Sequence, residues 1–396
     1  MITIDQFSFK GVRALIRVDY NVPLNDQFEI TDANRITATI PTVEKILNNG
    51  GSVVLMSHLG RPKGGPEDKF SLRHLLPKLR EVFQTEVLFA SDCIGEEGLR
   101  ISSNLKPGQI LLLENLRFYE EETKGDETFA QKLAQHGDFY VNDAFGTAHR
   151  AHASTAVIAK FFPGKKAFGY VMGAEIENVG KVLSSQEKPV TAIIGGAKVS
   201  SKITIIENLL PRIDHLIIGG GMAYTFARAQ GAQTGKSMVE EDLLETARGI
   251  IQKAKEQNVA LHLPVDSVNA AAFSADADIE ISPIDQIGEQ WMGLDVGPQT
   301  RENNRQVVLQ SKVILWNGPV GVFEMAPFAA GTIALGEAIV EATEKGAFSL
   351  VGGGDSVAAA KQFGMADRVS YVSTGGGAML EYLEGRSLPG IDAVLN

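Results

Sequence analysis

The chain has a single cysteine, Cys93, in 396 residues. That excludes an internal disulfide framework and any cysteine-based zinc or iron–sulfur centre. Long apolar runs are missing: no stretch approaches the roughly 18 residues that a membrane span needs. The N-terminal MITIDQFSFKGVR lacks the basic start and apolar core of a signal peptide. Together these absences predict a cytosolic chain. Basic charge is short as well. The net charge is −11, so there is no cation surplus to neutralise a nucleic-acid backbone. Only a local basic pocket is compatible with that balance. His149 and His152 stand close together, but without cysteines, an HExxH pair or a further histidine cluster they do not read as zinc ligands.

What is present is glycine, 41 residues of it, against an average usage of about 7%. So many glycines imply repeated tight turns or close backbone approaches. Hydrophobic content of 44% and charged content of 21% fit a globular chain, and the length allows two or three domains. Short apolar runs recur at Ala14–Val18, Ser52–Met56, Gln109–Leu113, Asp138–Val141, Val190–Ile194, His215–Ile218, Ala260–Leu263, Lys312–Leu315 and Phe348–Val351. Between most of them lie stretches of helical spacing, such as Ser201–Leu210, Glu240–Gln257 and Phe328–Glu344. Strands alternating with helices predict βαβ units on parallel sheets covered on both faces.

Ligands bind beyond the carboxyl ends of such strands. In the first half these ends read VDYN (Val18–Asn21), SHLGR (Ser57–Arg61), ENLR (Glu114–Arg117) and NDAFGTAHR (Asn142–Arg150). In the second half they read GGAK (Gly195–Lys198), GGG (Gly219–Gly221), PVDS (Pro264–Ser267), NGPVG (Asn317–Gly321), GGGD (Gly352–Asp355) and TGGG (Thr374–Gly377). The chemistry changes near residue 170, and the amphipathic stretch Met172–Gln186 reads as a connector. The expectation is an α/β chain of two doubly wound parallel-sheet domains. The boundaries are 1–170, a connecting helix and hinge over 171–186, a second domain over 187–375, and a C-terminal tail over 376–396.

Arg35, His58, Arg61, Arg117, His149 and Arg150 converge on one sheet edge if that topology holds. Guanidinium forks match phosphate and carboxylate oxygens, so the first half predicts a site for a small, highly anionic ligand. Asp19 and Asn21 add acceptors for a hydroxyl group. The competing reading is scattered surface arginines paired with Asp or Glu. In the second half, glycine turns at strand-to-helix junctions let backbone N–H groups approach a polyphosphate. Lys198 and Lys202, four apart at an expected helix start, share a face and supply point charges. Asp355 reads either as a helix cap or as a carboxylate holding Mg²⁺ beside phosphate oxygens. Glu324 reads as an acceptor for ribose hydroxyls or as a solvated loop acid.

Two familiar nucleotide motifs fail. ARAQGAQTGKS (Ala227–Ser237) has three residues between Gly231 and Gly235, one short of a Walker loop, and follows a helix instead of a strand. Each GGG meets Tyr224, Val357 or Leu380 where a dinucleotide fingerprint needs its third glycine, which disfavours a dehydrogenase. A solute-binding protein would need an export signal and one ligand site, whereas two chemically distinct edges are read here.

The ordered set RVDYNVP (Arg17–Pro23), SHLGRP (Ser57–Pro62), LLENLRF (Leu112–Phe118), VNDAFGTAHRAHAST (Val141–Thr155), GGAKVSSKI (Gly195–Ile203), WNGPVGVFE (Trp316–Glu324), GGGDS (Gly352–Ser356) and STGGGAMLEYLEG (Ser373–Gly385) resembles the phosphoglycerate kinase family along essentially the whole chain. The resemblance implies two α/β domains, with the tail returning to the first. It implies reversible phosphoryl transfer between 1,3-bisphosphoglycerate and ADP, giving 3-phosphoglycerate and ATP, with Mg²⁺, in a cytoplasmic, hinge-bending monomer. Small molecules are its only implied partners. By the same resemblance Asp19, Tyr20, Asn21, Arg35, His58, Leu59, Gly60, Arg61, Arg117 and Arg150 belong to the phosphoglycerate site. Lys198, Lys202, Gly219, Gly293, Asn317, Glu324, Gly353, Gly354, Asp355 and Ser356 belong to the nucleotide site, with Asp355 linked to the metal. Arg35, Lys202 and the backbone N–H groups of Gly354 and Gly377 are implied to stabilise the transferring phosphoryl group. Tyr20 stands where Phe is usual, Ser201 replaces a common Asp, and Pro264–Asp276 departs from the family pattern, so no site residue is expected there.

Overall fold

All nine apolar runs become strands; most are buried on both faces of a parallel sheet, while Ala260–Leu263 forms an edge strand, exposed or half-buried throughout. The computed structural model describes residues 1–396. The chain separates into two units, one of residues 1–177 with 387–396 and one of residues 178–386. The first carries six strands: β1 (Arg13–Val18), β2 (Ser52–Met56), β3 (Val87–Ala90), β4 (Ile110–Leu113), β5 (Phe139–Asp143) and β6 (Lys166–Phe168). They lie in the order β3-β4-β2-β1-β5-β6, all parallel. The carboxyl ends of β4, β2, β1 and β5 are therefore consecutive along one edge.

The second unit contains β7 (Val190–Ile194), β8 (His215–Ile218), β9 (Gln233–Thr234), β10 (Ala260–His262), β11 (Asp266–Ala270), β12 (Ile279–Pro283), β13 (Gln286–Ile287), β14 (Met292–Val296), β15 (Val313–Asn317), β16 (Phe348–Val351) and β17 (Tyr371–Val372). Its main sheet runs β10-β8-β7-β15-β16-β17. The order reverses between β7 and β15, the switch point where a crevice opens in such sheets. Strands β12-β11-β14 form a separate antiparallel sheet. It closes a small core of Val268, Ala270, Leu294 and Phe328.

The connecting helix runs Tyr170–Leu183, not Met172–Gln186. Its start is set by side chains of the first unit: Thr42 Oγ1 accepts from Tyr170 N at 2.9 Å and Asp143 Oδ1 from Met172 N at 3.0 Å. The tail also begins later than residue 376. Residues 376–386 belong to the second unit, because the helix Gly377–Leu383 packs on the helix Ile203–Leu209 and Asn208 Nδ2 donates to Leu383 O. From Ser387 onward the chain lies in the first unit. There Gly390 N donates to Ala148 O at 2.8 Å and Asn142 Nδ2 to Gly390 O at 3.0 Å.

Candidate active site

In the first unit, three of the expected arginines line one cleft of 680 Å³: Arg61, Arg117 and Arg150, with His152 and the Lys63–Gly65 loop. Arg117 Nη1 donates to Gly60 O at 2.8 Å, and Gly60 N donates to Asn21 Oδ1 at 2.8 Å. Arg35 Nη1 donates to Asn21 O at 2.9 Å and pairs with Asp19 Oδ2 at 3.1 Å. Arg150 Nε lies 3.1 Å from His149 Nε2. Tyr20 and Leu59 differ from expectation. Both side chains are buried in the core; Tyr20 Oη meets Thr39 Oγ1 at 2.7 Å, and only its backbone N–H, donated to Ser57 Oγ, faces the turn.

Beneath the cleft lies a charged network that strand-end reading did not single out. Arg17, on β1, is 1% exposed, as is Glu122. Arg17 Nε donates to Ser154 Oγ at 2.9 Å, and Glu122 accepts from Ser154 N at 2.9 Å and Ser154 Oγ at 2.6 Å. Arg17 Nη2 sits 3.2 Å from His58 Nδ1. A guanidinium only donates, so Nδ1 accepts and the His58 proton resides on Nε2. Burial, then the charges of Arg17, Arg117 and Arg35, holds His58 well below the usual imidazole range. Burial and Arg17 likewise push His152 down to about 4. Arg117 itself is pushed down to about 10, first by burial and then by Arg17 and Arg150. The cleft thus holds neutral imidazoles among cations that repel one another, the electrostatics of a site awaiting an anion. The signal for Arg17 was available: an arginine inside the apolar run RALIRV must be paired or solvated.

In the second unit, the turns after β8, β7, β15, β16 and β17 follow one another along the sheet edge. Several of their glycines are required by contact between turns. A Cβ on Gly195 would lie 2.1 Å from Pro319 O, one on Gly318 2.2 Å from Gly195 O, and one on Gly219 2.4 Å from Val320 Cγ1. Gly354 differs: its Cβ position faces open space at the first residue of the helix Gly354–Gln362. Gly353, at φ +94°, is the N-cap of that helix, with no side-chain cap bond. Asp355 is thus not the cap: it is an exposed carboxylate one residue into the first turn. Ser356 is buried, its Oγ accepting from Gly318 N at 2.5 Å. Gly377 is an exposed first residue of its own helix.

Lys198 and Lys202 do not share an α-helical face. They flank a 3₁₀ turn, Val199–Ser201, because Lys198 is extended at φ −128°. Lys198 is exposed, whereas Lys202 is half-buried and donates to Asn317 Oδ1 at 2.5 Å. Burial lowers the Lys202 ammonium, with Asp355 and Glu384 pulling it back. Asn317 Nδ2 donates to Gly352 O at 2.7 Å, so Asn317 bridges Lys202 to the turn before Asp355. Gly293 lies apart from these turns on β14, under the Tyr224 ring, where a Cβ would meet Tyr224 Oη at 2.2 Å. Glu324 is exposed, just beyond the Asn317–Gly321 turn.

Comparison with known proteins gives one consistent answer. The family model described as phosphoglycerate kinase matches residues 4–386. The phosphoglycerate kinase of Porphyromonas gingivalis is 54% identical over 417 aligned residues, covering 99% of each chain. The cytosolic phosphoglycerate kinase of Triticum aestivum is 50% identical over 392, covering 99% of this chain and 97% of its own. Among solved structures, phosphoglycerate kinase from Coxiella burnetii aligns with a TM-score of 0.92 at 40% identity, and that from Pyrococcus horikoshii with 0.80 at 30%. Both cover 100% of this chain and 98% of their own. Sequence and architecture agree end to end, and the chain belongs to the phosphoglycerate kinase family.

Proposed function

We propose that the two sheet edges divide the family's reaction, phosphoglycerate on the first unit and the nucleotide on the second. The reaction is reversible phosphoryl transfer between 1,3-bisphosphoglycerate and ADP, giving 3-phosphoglycerate and ATP. The observation that carries the division is the guanidinium cleft, where burial and neighbouring arginines push Arg117 down to about 10. A ligand bearing phosphate and carboxylate groups removes that repulsion. The half-buried Lys202, held by Asn317, and the open helix start at Gly354 supply the contrasting chemistry, a point charge and backbone donors for a polyphosphate.

A transferring phosphoryl group spreads negative charge over three oxygens, and catalysis is mostly positioning and electrostatics. Arg35 and Lys202 stabilise that charge, joined by the N–H groups of Gly354 and Gly377. No protein base is required, since the substrate carboxylate itself is the attacking or leaving oxygen. His58, neutral with its proton on Nε2, donates a hydrogen bond without adding charge. Asp355 fits Mg²⁺: it is one exposed carboxylate, unspent as a cap, and no cluster of three acidic, His or Cys ligands exists to hold a dedicated metal. Mg²⁺ typically takes one or two carboxylates together with phosphate oxygens. Bound there, it would neutralise phosphate charge, with Asp355 orienting it. We place the protein in the cytosol, as the wheat relative's name has it, and as a monomer acting on small molecules; sedimentation tests the latter.

A coupled assay with 3-phosphoglycerate and Mg-ATP tests the activity. Thermal shifts test the division: each ligand alone should raise Tm. Absence of a shift with 3-phosphoglycerate alone would refute the first-unit assignment.

A further inference from the structure

Asn115 lines no cleft, yet its amide is fully used. It is 0% exposed, in the turn after β4. Oδ1 accepts from Leu59 N at 3.2 Å and from Arg117 N at 3.0 Å; Nδ2 donates to Leu59 O at 2.7 Å and to Phe70 O at 2.8 Å. An asparagine offers two donors and two lone pairs, so every one is spent on backbone, from three different segments. One partner belongs to the loop carrying His58 and Arg61, one to the turn carrying Arg117. The third, Phe70, presses its ring where a Cβ on Gly60 would lie, 2.3 Å away. Gly60 then passes the constraint on. Its carbonyl receives Arg117 Nη1, and its N–H reaches Asn21, whose carbonyl receives Arg35.

We propose that Asn115 is the positioning residue of the guanidinium cleft: it sets the loops of Arg61 and Arg117 in register and, through Gly60 and Asn21, the place of Arg35. This rests on the reading of that cleft as the phosphoglycerate site. Asn115 is wholly buried with its amide spent on backbone, so its effect on binding is indirect and confined to one of the two ligands.

Two variants separate hydrogen bonding from packing. Asn115→Asp has the same shape but loses both donors and sets a carboxylate against two carbonyl oxygens. Asn115→Ser leaves a small void but keeps an acceptor for Arg117 N, as serine does in comparable turns. Calorimetry with 3-phosphoglycerate and, separately, ADP on the full chain should show the 3-phosphoglycerate Kd raised about tenfold or more in Asn115→Asp and less in Asn115→Ser. The ADP Kd should stay within twofold in both. A pure packing role predicts the opposite order of the two variants. The proposal is overturned by that opposite order, by ADP affinity falling in parallel, or by Asn115→Asp binding 3-phosphoglycerate as the parent does. Should Asn115→Asp not fold, a parent-like 3-phosphoglycerate Kd in Asn115→Ser overturns it alone. If the parent itself bound no 3-phosphoglycerate, the substrate reading would fail instead.

Discussion

Replacing Arg117 by methionine should leave the unliganded protein almost as stable as before while sharply weakening phosphoglycerate binding. The guanidinium is pushed from its ordinary value down to about 10, by burial first and then by Arg17, Arg150 and Arg61. At 1.36 kcal/mol per pH unit, that drop corresponds to roughly 3 kcal/mol of destabilisation of the charged form. The side chain is only half-buried, so solvent screening cuts this to roughly 1.5 kcal/mol. Methionine keeps most of the apolar stem and removes the charge, relieving that repulsion. It also loses the bond from Nη1 to Gly60 O, a charged donor contributing about 1.5 kcal/mol or somewhat more. The two nearly cancel. Unliganded Tm should therefore change by a few degrees at most. With ligand bound the balance differs, because the repulsion is gone and a charge-assisted contact is missing. A loss of about 3 kcal/mol raises Kd by about two decades. Scanning fluorimetry with and without 3-phosphoglycerate, followed by calorimetry, measures both terms. An unliganded Tm lower by ten degrees, or an unchanged Kd, would refute the reasoning.

Three further outcomes are expected. Arg35→Ala should lower kcat on the order of 10³-fold, and Arg35→Lys should recover little, since an ammonium is a point charge and cannot present the planar fork of donors that matches phosphoryl oxygens; steady-state rates within threefold of the parent would remove Arg35 from the chemistry. Asp355→Asn should raise the KM for Mg-ATP and spare 3-phosphoglycerate, and because Gly353 is the cap, a change in stability instead of KM would count against the metal assignment. Burial holds His136 down to about 4, so the unfolded chain binds the proton first as pH falls below about 6.5. Folded stability is then lost between about pH 6.5 and 4, by up to roughly 3 kcal/mol from this group; His58 and His152 add to the same limb, so His136→Gln should make that limb of a denaturant-midpoint-against-pH profile shallower without abolishing it, and an unchanged slope would contradict it.

The fold was legible where strands are buried on both faces, because there a continuous apolar run reports position. The run Gln109–Leu113 became β4, with Ile110–Leu113 wholly buried. Edge strands carry a weaker mark: β10 was legible in Ala260–Leu263, but two others were not. β3 is half-exposed in its middle, and β17 has only two residues, both partly exposed. The sheet of β11, β12 and β14 was hidden for a related reason: β12 alternates exposed and half-buried residues around a core too small to impose a long pattern. The lysine pair shows a different limit. GGAKVSSKI is compatible with a helix from Lys198 onward, but extended backbone at Lys198 and a 3₁₀ turn put the two lysines on either side of it. Glu122 shows a further limit: nothing local in EEETK marks it for burial, and contact with Ser154, 32 residues away, takes it fully inside.

For the site, the decisive question was whether arginines at four strand ends are a cluster or scattered surface charge, and ion pairing separates the two. Arg13, at the opposite end of β1, shows what an ordinary structural arginine does: Nε and Nη2 take both oxygens of Asp138, at 3.1 and 2.7 Å. Arg61, Arg117 and Arg150 line one cleft, and no carboxylate lies within ion-pair distance of any of them. Arg117 spends its donor on a carbonyl and Arg150 on an imidazole. In a chain with eleven more acids than bases, acidic partners were abundant, so leaving three cations without them is costly and specific. Glu120, which lines the cleft, pairs with Lys124 at 2.7 Å, and Glu122 is turned inward, its oxygens engaged by Ser154. That arrangement satisfies the buried Arg17 from below and leaves the cleft cations unneutralised above. The order β4-β2-β1-β5 sets the carboxyl ends that carry these arginines side by side on one edge.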